Sequence, residues 1–123
     1  MKTKTKQYVV SQWIHRYVAS VAAGYEERIQ ALHDGVTDDV AGYYHAMNDA
    51  IREGLKAACE PGEQRYILDA IIHVKGYQKY EDMNSKGYRS YPEYPGGRRR
   101  FYEQKRRTVY EIAVRLGVTE KRD

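Results

Sequence analysis

The chain has 123 residues, a formal net charge of +4, 41% hydrophobic residues and a mean hydropathy of −0.84. These values fit one soluble domain, or one small domain with an appended helical hairpin, that buries a core with little to spare. No apolar run approaches the roughly 18 residues of a membrane span. The basic start, MKTKTK, leads into no apolar stretch with a small-residue cleavage site, which argues against a secretory leader. The single cysteine, Cys59, cannot form an internal disulfide and suits a reducing, cytoplasmic setting.

Taken in chain order, the first predicted element is a helix over residues 5–33. Val10, Ile14, Tyr17, Val21, Tyr25, Ile29 and Leu32 recur every three or four residues, with Trp13 and Val18 widening the stripe. Gly24 weakens that helix and is expected to mark a close helix contact. Gly35 is suited to closing it in the left-handed conformation. Thr37 is a good N-cap for a second helix, with Asp38 and Asp39 in the first turn, where the helix dipole favours carboxylates. Val40, Tyr44, Met47, Ile51, Leu55 and Ala58 carry that helix to about residue 59. The short connection predicts an antiparallel hairpin over residues 1–60, whose seams could also support a homodimer.

Pro61 suits the first turn of a third helix. Ile67, Leu68, Ile71, Ile72 and Val74 make this the most apolar segment, predicted to be the centre of the core. A short fourth helix is expected over residues 77–83. The Pro/Gly-rich stretch 84–97 excludes regular helix. A last helix follows over residues 98–116, with Gly117 as its natural C-cap. No strand is predicted, so the fold class is all-α.

Charge is divided along this order. Residues 7–75 carry 6 bases and 10 acids, whereas residues 76–123 carry 12 bases and 7 acids. The sharpest signal is the run Arg98-Arg99-Arg100-Phe101-Tyr102-Glu103-Gln104-Lys105-Arg106-Arg107, with six bases and one acid. It passes straight into Val109, Ile112, Ala113 and Leu116 at helical spacing. A helix cationic at its start and apolar at its end can be held by protein at one end and face an anion at the other, nucleic acid being the commonest. Around such a helix Arg99 shares a face with Arg106, and Arg100 with Arg107. Five of the 13 tyrosines fall between Tyr77 and Tyr94. Tyr88, Tyr91 and Tyr94, with Arg89, lie in the loop before the arginines, where stacking on bases or anchoring a protein partner explains them better than a core does.

No set of residues points to catalysis. The four histidines form no familiar metal spacing with Cys59 or with one another. The four-residue separation of His45 and Asp49 is common by chance. Gly96-Gly97 lacks the Lys-Ser/Thr of a phosphate-cradling loop. The reading is therefore a non-enzyme with no metal and no cofactor.

From Pro61 onward the order is apolar helix (Glu63-Gln-Arg-Tyr-Ile-Leu-Asp-Ala-Ile-Ile), glycine, short helix (77–84), loop, then a basic helix closing on Ile112-Ala-Val-Arg-Leu-Gly117. Over residues 61–117 this resembles the sigma-factor-like helix-turn-helix of the RinA/ArpU group of small phage transcriptional regulators. The resemblance implies a helix-turn-helix nucleic-acid-binding region over 61–123 and a recognition helix over 98–117. It further implies a double-stranded DNA partner and a place in the cytoplasm of a bacterial host. The contact residues expected are Arg98, Arg99, Arg100, Tyr102, Lys105, Arg106 and Arg107, with Tyr88, Arg89, Tyr91 and Tyr94 from the loop. The group has a tight turn with a Ser or Thr cap before the recognition helix, and here Gly97 and a longer tyrosine-rich loop stand in that place. The alternative is a non-catalytic phage inhibitor that grips a host nucleic-acid-processing protein, or its RNA, through the same Arg/Tyr surface.

Overall fold

The computed structural model describes residues 8–73, 94 and 96–122. They form five helices: α1 (Gln12–Ala23), α2 (Tyr25–His33), α3 (Asp38–Ala58), α4 (Gln64–His73) and α5 (Arg98–Leu116). The all-α class is as expected. The short helix expected over 77–83 and most of the loop 84–97 lie outside the described residues.

The first stripe does not form one helix. It breaks at Gly24, whose φ of −90° and ψ of 6° lie off the helical path. Its N–H bonds to the Val21 carbonyl in a tightened last turn, at 3.2 Å. The same carbonyl accepts the Arg28 guanidinium, which lies where a Cβ on residue 24 would sit. Arg28 is buried, and its Nε donates to Asn48 Oδ1 at 2.6 Å. Asn48 Nδ2 in turn donates to the Tyr25 carbonyl at 3.3 Å. Backbone groups freed by the break therefore find partners in two buried side chains, as burial of polar groups requires. The close approach at Gly24 is to Arg28 rather than to another helix.

The break changes what each half covers. Beyond a short connection in which Gly35 takes a φ of 85°, α2 packs on α3. α1 instead packs on α4 and α5. Ile14, Val18, Val21 and Ala22 are buried on α1, while Trp13, Tyr17 and Ile29, all assigned to the continuous stripe, stay exposed. Thr37 occupies the N-cap position of α3 without a side-chain capping bond. Pro61–Glu63 forms a turn, and α4 starts at Gln64 rather than Pro61.

The centre of the core is α5, not α4. Six successive residues, Thr108 to Ala113, are buried, so this half of the helix is enclosed on all sides. Its main neighbour is α3. At their closest approach a methyl group on Gly54 would come within 2.5 Å of Ile112 Cγ1 and 3.0 Å of its backbone nitrogen. The apolar cluster joins residues from both sides of Glu60: Ile51 and Leu55 of α3, Ile67 and Ile71 of α4, and Phe101, Val109 and Ile112 of α5. α5 closes as expected at Gly117, with a φ of 79°. Val118 N–H bonds to Ala113 O and Gly117 N–H to Val114 O, the paired bonds of a Schellman motif. Among the described residues, no helix is long and apolar enough to cross a membrane.

Candidate nucleic-acid interface

The basic half of α5 starts against the electrostatics of its own helix. The first turn holds Arg98, Arg99 and Arg100 and no acid, and Gly97 supplies no side-chain cap. Cations at this end meet the positive pole of the helix dipole. A local rule broken in this way is offset by something nearby or kept for a ligand.

Arg100 is offset within the fold. Its Nε donates to Glu63 Oε2 at 2.6 Å and its Nη2 to Glu63 Oε1 at 3.1 Å. Glu63 also accepts Gln104 Nε2 and, at 3.0 Å, the Glu60 backbone N–H, so that it closes the turn before α4 as the acid of a capping box does. Burial pushes the Glu63 carboxyl up, but the hydrogen bonds from Arg100, Gln104 and Glu60 outweigh it and hold the pKa below its ordinary value. Tyr94 joins the same cluster. Its hydroxyl donates to Gln104 Oε1 at 2.9 Å, and its ring meets Phe101 and Tyr66 edge to face at 5.5 and 5.7 Å. Tyr94 is thus folded back on α5 as a packing residue. Tyr88, Arg89 and Tyr91 lie outside the described residues.

Arg107, on the same face as Arg100, makes looser contacts, and its buried Nε has no hydrogen-bond partner among the described residues. It lies over the Tyr8 ring at 5.6 Å and 3.8 Å from Glu111, a buried carboxylate that Arg115 holds from the next turn at 2.6 Å. Arg100 and Arg107 thus each lie at a buried carboxylate, while their own side chains stay 49% and 43% exposed. Arg99 and Arg106, by contrast, meet no buried carboxylate among the described residues. The Arg99 side chain is 93% exposed, with Glu103 beside it at 3.5 Å. Arg106 is half-buried, and no carboxylate pairs with it among the described residues. Arg98 is exposed and its guanidinium lies 5.6 Å from the centre of the Tyr102 ring. Lys105 is half-buried, and burial lowers its pKa.

Two clefts flank this ridge. The larger, about 550 Å³, is lined by Lys56, Arg100, Arg106 and Arg107 but also by Glu60 and Glu103. Three of its four cations are already engaged: Arg100 by Glu63, Arg107 by Tyr8 and Glu111, and Lys56 by Glu53 at 3.6 Å. Cys59 lies at its wall, buried and 3.3 Å from Thr108 Oγ1. Burial raises that thiol's pKa. The smaller cleft, about 250 Å³, lies between α1, α4 and α5, and Arg106 belongs to both. Asp49, considered with His45 as a chance ligand pair, is bound to Arg52.

The sequence reading brought forward the six cations of residues 98–107 but not Glu63, Gln104 or Glu111, which decide which of them meet a partner within the fold. The available signal was a lone carboxylate three residues after Glu60, at the start of an apolar helix. It also missed Arg16 of α1, which stands beside Arg106 at the smaller cleft. No protein-family model, no curated protein and no solved structure matches the chain.

Proposed function

We propose that this is a non-catalytic DNA-binding regulator that holds the duplex backbone against the Arg99/Arg106 face of α5. Arg98, Arg99 and Arg106 supply the phosphate contacts, with Tyr102 beside them. The observation that carries the reading is the division of the basic helix. Arg100 and Arg107 lie at buried carboxylates, at 2.6 and 3.8 Å, whereas among the described residues Arg99 and Arg106 meet none, on a helix whose residues 108–113 are all buried. A cationic segment mounted on the core as one continuous helix is held in place before its ligand arrives, which limits the ordering cost of binding. The N-terminal backbone amides of α5 add to the attraction for phosphate. This is the part the RinA/ArpU resemblance gives to a recognition helix.

The test is duplex binding as a function of salt. With about three phosphates neutralised, the log–log slope is about −3, at roughly 0.9 per phosphate. Replacing Arg98, Arg99 and Arg106 together by alanine removes most of that slope, and Arg100→Ala is an unsuitable member of the set because it breaks the Glu63 cluster. Absence of salt-dependent binding in the parent at low ionic strength sinks the proposal.

One observation favours a second reading, a protein partner. Val9, just before α1, and Trp13 and Tyr17 of α1 follow one another at four-residue spacing and are 52%, 57% and 38% exposed. Exposed aromatics in such a row are the usual anchors of protein interfaces. They suit either the homodimer expected of the front helices or an inhibitory grip on a host protein. Capture of a host protein that survives nuclease treatment and fails with Trp13→Ala favours that reading over the DNA one.

A further inference from the structure

The exposed aromatics of α1 stand in a strip that carries positive charge and no negative charge. Trp13, the single tryptophan of the chain, and Tyr17 are both exposed, and so is Arg16. Residues three and four apart lie on one helix face, so Arg16 and Tyr17 both neighbour Trp13. Ile14, Val18, Val21 and Ala22 hold the other side of α1 in the core, which fixes this face outward. Arg16 also lines the smaller cleft, together with Gln12 of α1 and Arg106 of α5, and no carboxylate is among its described lining residues. α1 itself holds no acid, and the first acid of the whole sequence is Glu26. Neither Arg16 nor Arg106 has an ion-pair partner among the described residues.

We propose that this surface binds single-stranded DNA, with Trp13 and Tyr17 stacking on unpaired bases and Arg16 and Arg106 holding the adjoining phosphates. Two requirements select the occupant. It is anionic, because the strip offers two arginines and no acid of α1 or of the cleft's described lining to balance them. It also presents flat faces, because what α1 exposes beside the charge is an indole and a phenol ring. A duplex fails the second requirement, since paired bases show only their edges in the grooves. A protein patch fits the first poorly, since charged residues are depleted at the centre of protein interfaces, whereas Arg16 lies beside Trp13 on the same face. An unpaired strand meets both. Its successive bases stack on aromatic side chains while cations follow its backbone, which gives binding with little sequence preference. The choice of DNA over RNA rests on the proposed duplex site, because Arg106 belongs to both surfaces. An unpaired strand running on from the duplex face reaches α1 there.

The experiment uses the tryptophan itself, because with one in the chain its fluorescence reports this surface alone. The full chain is titrated at low salt with a single-stranded oligothymidylate of about 12 nucleotides, within the usual span of single-strand sites. A duplex of the same length and an oligouridylate are titrated in parallel. Expected is saturable quenching of Trp13 by the oligothymidylate and none by the duplex. Tyr17→Ala weakens single-strand binding by about tenfold, or about 1.4 kcal/mol, which lies within the range for one base stack. Arg16→Ala lowers the log–log salt slope by about 0.7, the single-strand value for one phosphate. Both residues are exposed, so the variants fold, and unchanged melting curves verify it. Both variants keep the parent's duplex binding. The two sites fail separately: quenching without duplex binding sinks the duplex site alone, and duplex binding without quenching sinks this one. Absence of saturable quenching by the oligothymidylate overturns the proposal and leaves the aromatic row to a protein partner. Equal quenching by the duplex, tighter binding of the oligouridylate, or binding that Tyr17→Ala does not change overturns it too.

Discussion

The Arg100 guanidinium engages both oxygens of Glu63 across 37 residues of sequence, and the carboxylate it reaches is only 4% exposed. The pair ties the first turn of α5 to the turn before α4. It also removes one of the six bases from any external partner. Because Glu63 has its pKa held below the ordinary 4.5, it contributes stability above that value and loses the contribution as pH falls through its folded-state pKa. Urea unfolding between pH 3 and 7 is therefore expected to show a fall in stability below about pH 4.5. Glu63→Gln is expected to be less stable at pH 7 by about 1–3 kcal/mol, because Arg100 loses its charged acceptor. The variant also loses much of the acid-side slope. A variant with the parent's full slope assigns the acid sensitivity to other carboxylates.

Arg98 and Arg99 are a different case, because both stand in the first turn of α5, at its positive pole, and are exposed. A cation there is unfavourable by about 0.3–1 kcal/mol, offset in part by Glu103 and by the Tyr102 ring. Arg98→Ala/Arg99→Ala is therefore expected to leave ligand-free stability unchanged or to raise it by up to about 1 kcal/mol. The same variant is expected to lose duplex binding. Thermal melts with and without DNA check both halves, and a marked drop in ligand-free melting temperature would make these two arginines structural.

Gly54 governs how closely α3 and α5 approach. A methyl group there meets both the side chain and the backbone of Ile112, and the backbone cannot rotate away as a flexible side-chain end can. Gly54→Ala gains helix propensity of up to about 1 kcal/mol in α3. Against that stands overpacking, typically about 1–3 kcal/mol, at the centre of the core. We expect net destabilisation, visible as a lower urea midpoint with an unchanged slope. A more stable variant would show that the two helices separate at little cost.

The helices were readable because their apolar residues recur at helical spacing, and the closing glycines because Gly35 and Gly117 take a positive φ. The break at Gly24 was hidden because the stripe runs on across it, and what fixes the break is an Arg28–Asn48 contact 20 residues apart. The central position of α5 was hidden for a related reason. Thr108, Tyr110 and Glu111 read as polar surface, yet all three are buried. Cys59 accompanies the first, the Arg122 backbone N–H bonds to the hydroxyl of the second, and Arg115 holds the third. Helical spacing does show that Arg99 pairs with Arg106 and Arg100 with Arg107. It does not show which pair meets buried carboxylates, because that is decided by where Glu63 and Glu111 sit in the fold.

The Arg28–Asn48 pair can be tested as a unit. Arg28 satisfies the Val21 carbonyl left at the end of α1, and Asn48 satisfies the carbonyl of Tyr25 at the start of α2. Each side chain also satisfies the other. Arg28→Met leaves Asn48 Oδ1 without its donor, and Asn48→Leu leaves the Arg28 Nε without its acceptor. Either single change is expected to cost about 1–3 kcal/mol, the usual cost of a buried polar group left unmade. In the double variant neither orphan remains, so its loss is expected to fall short of the sum by about 0.5–3 kcal/mol. Urea unfolding of the four proteins gives the coupling directly. Strict additivity would mean that the two side chains act independently and that Gly24 alone sets the break between α1 and α2.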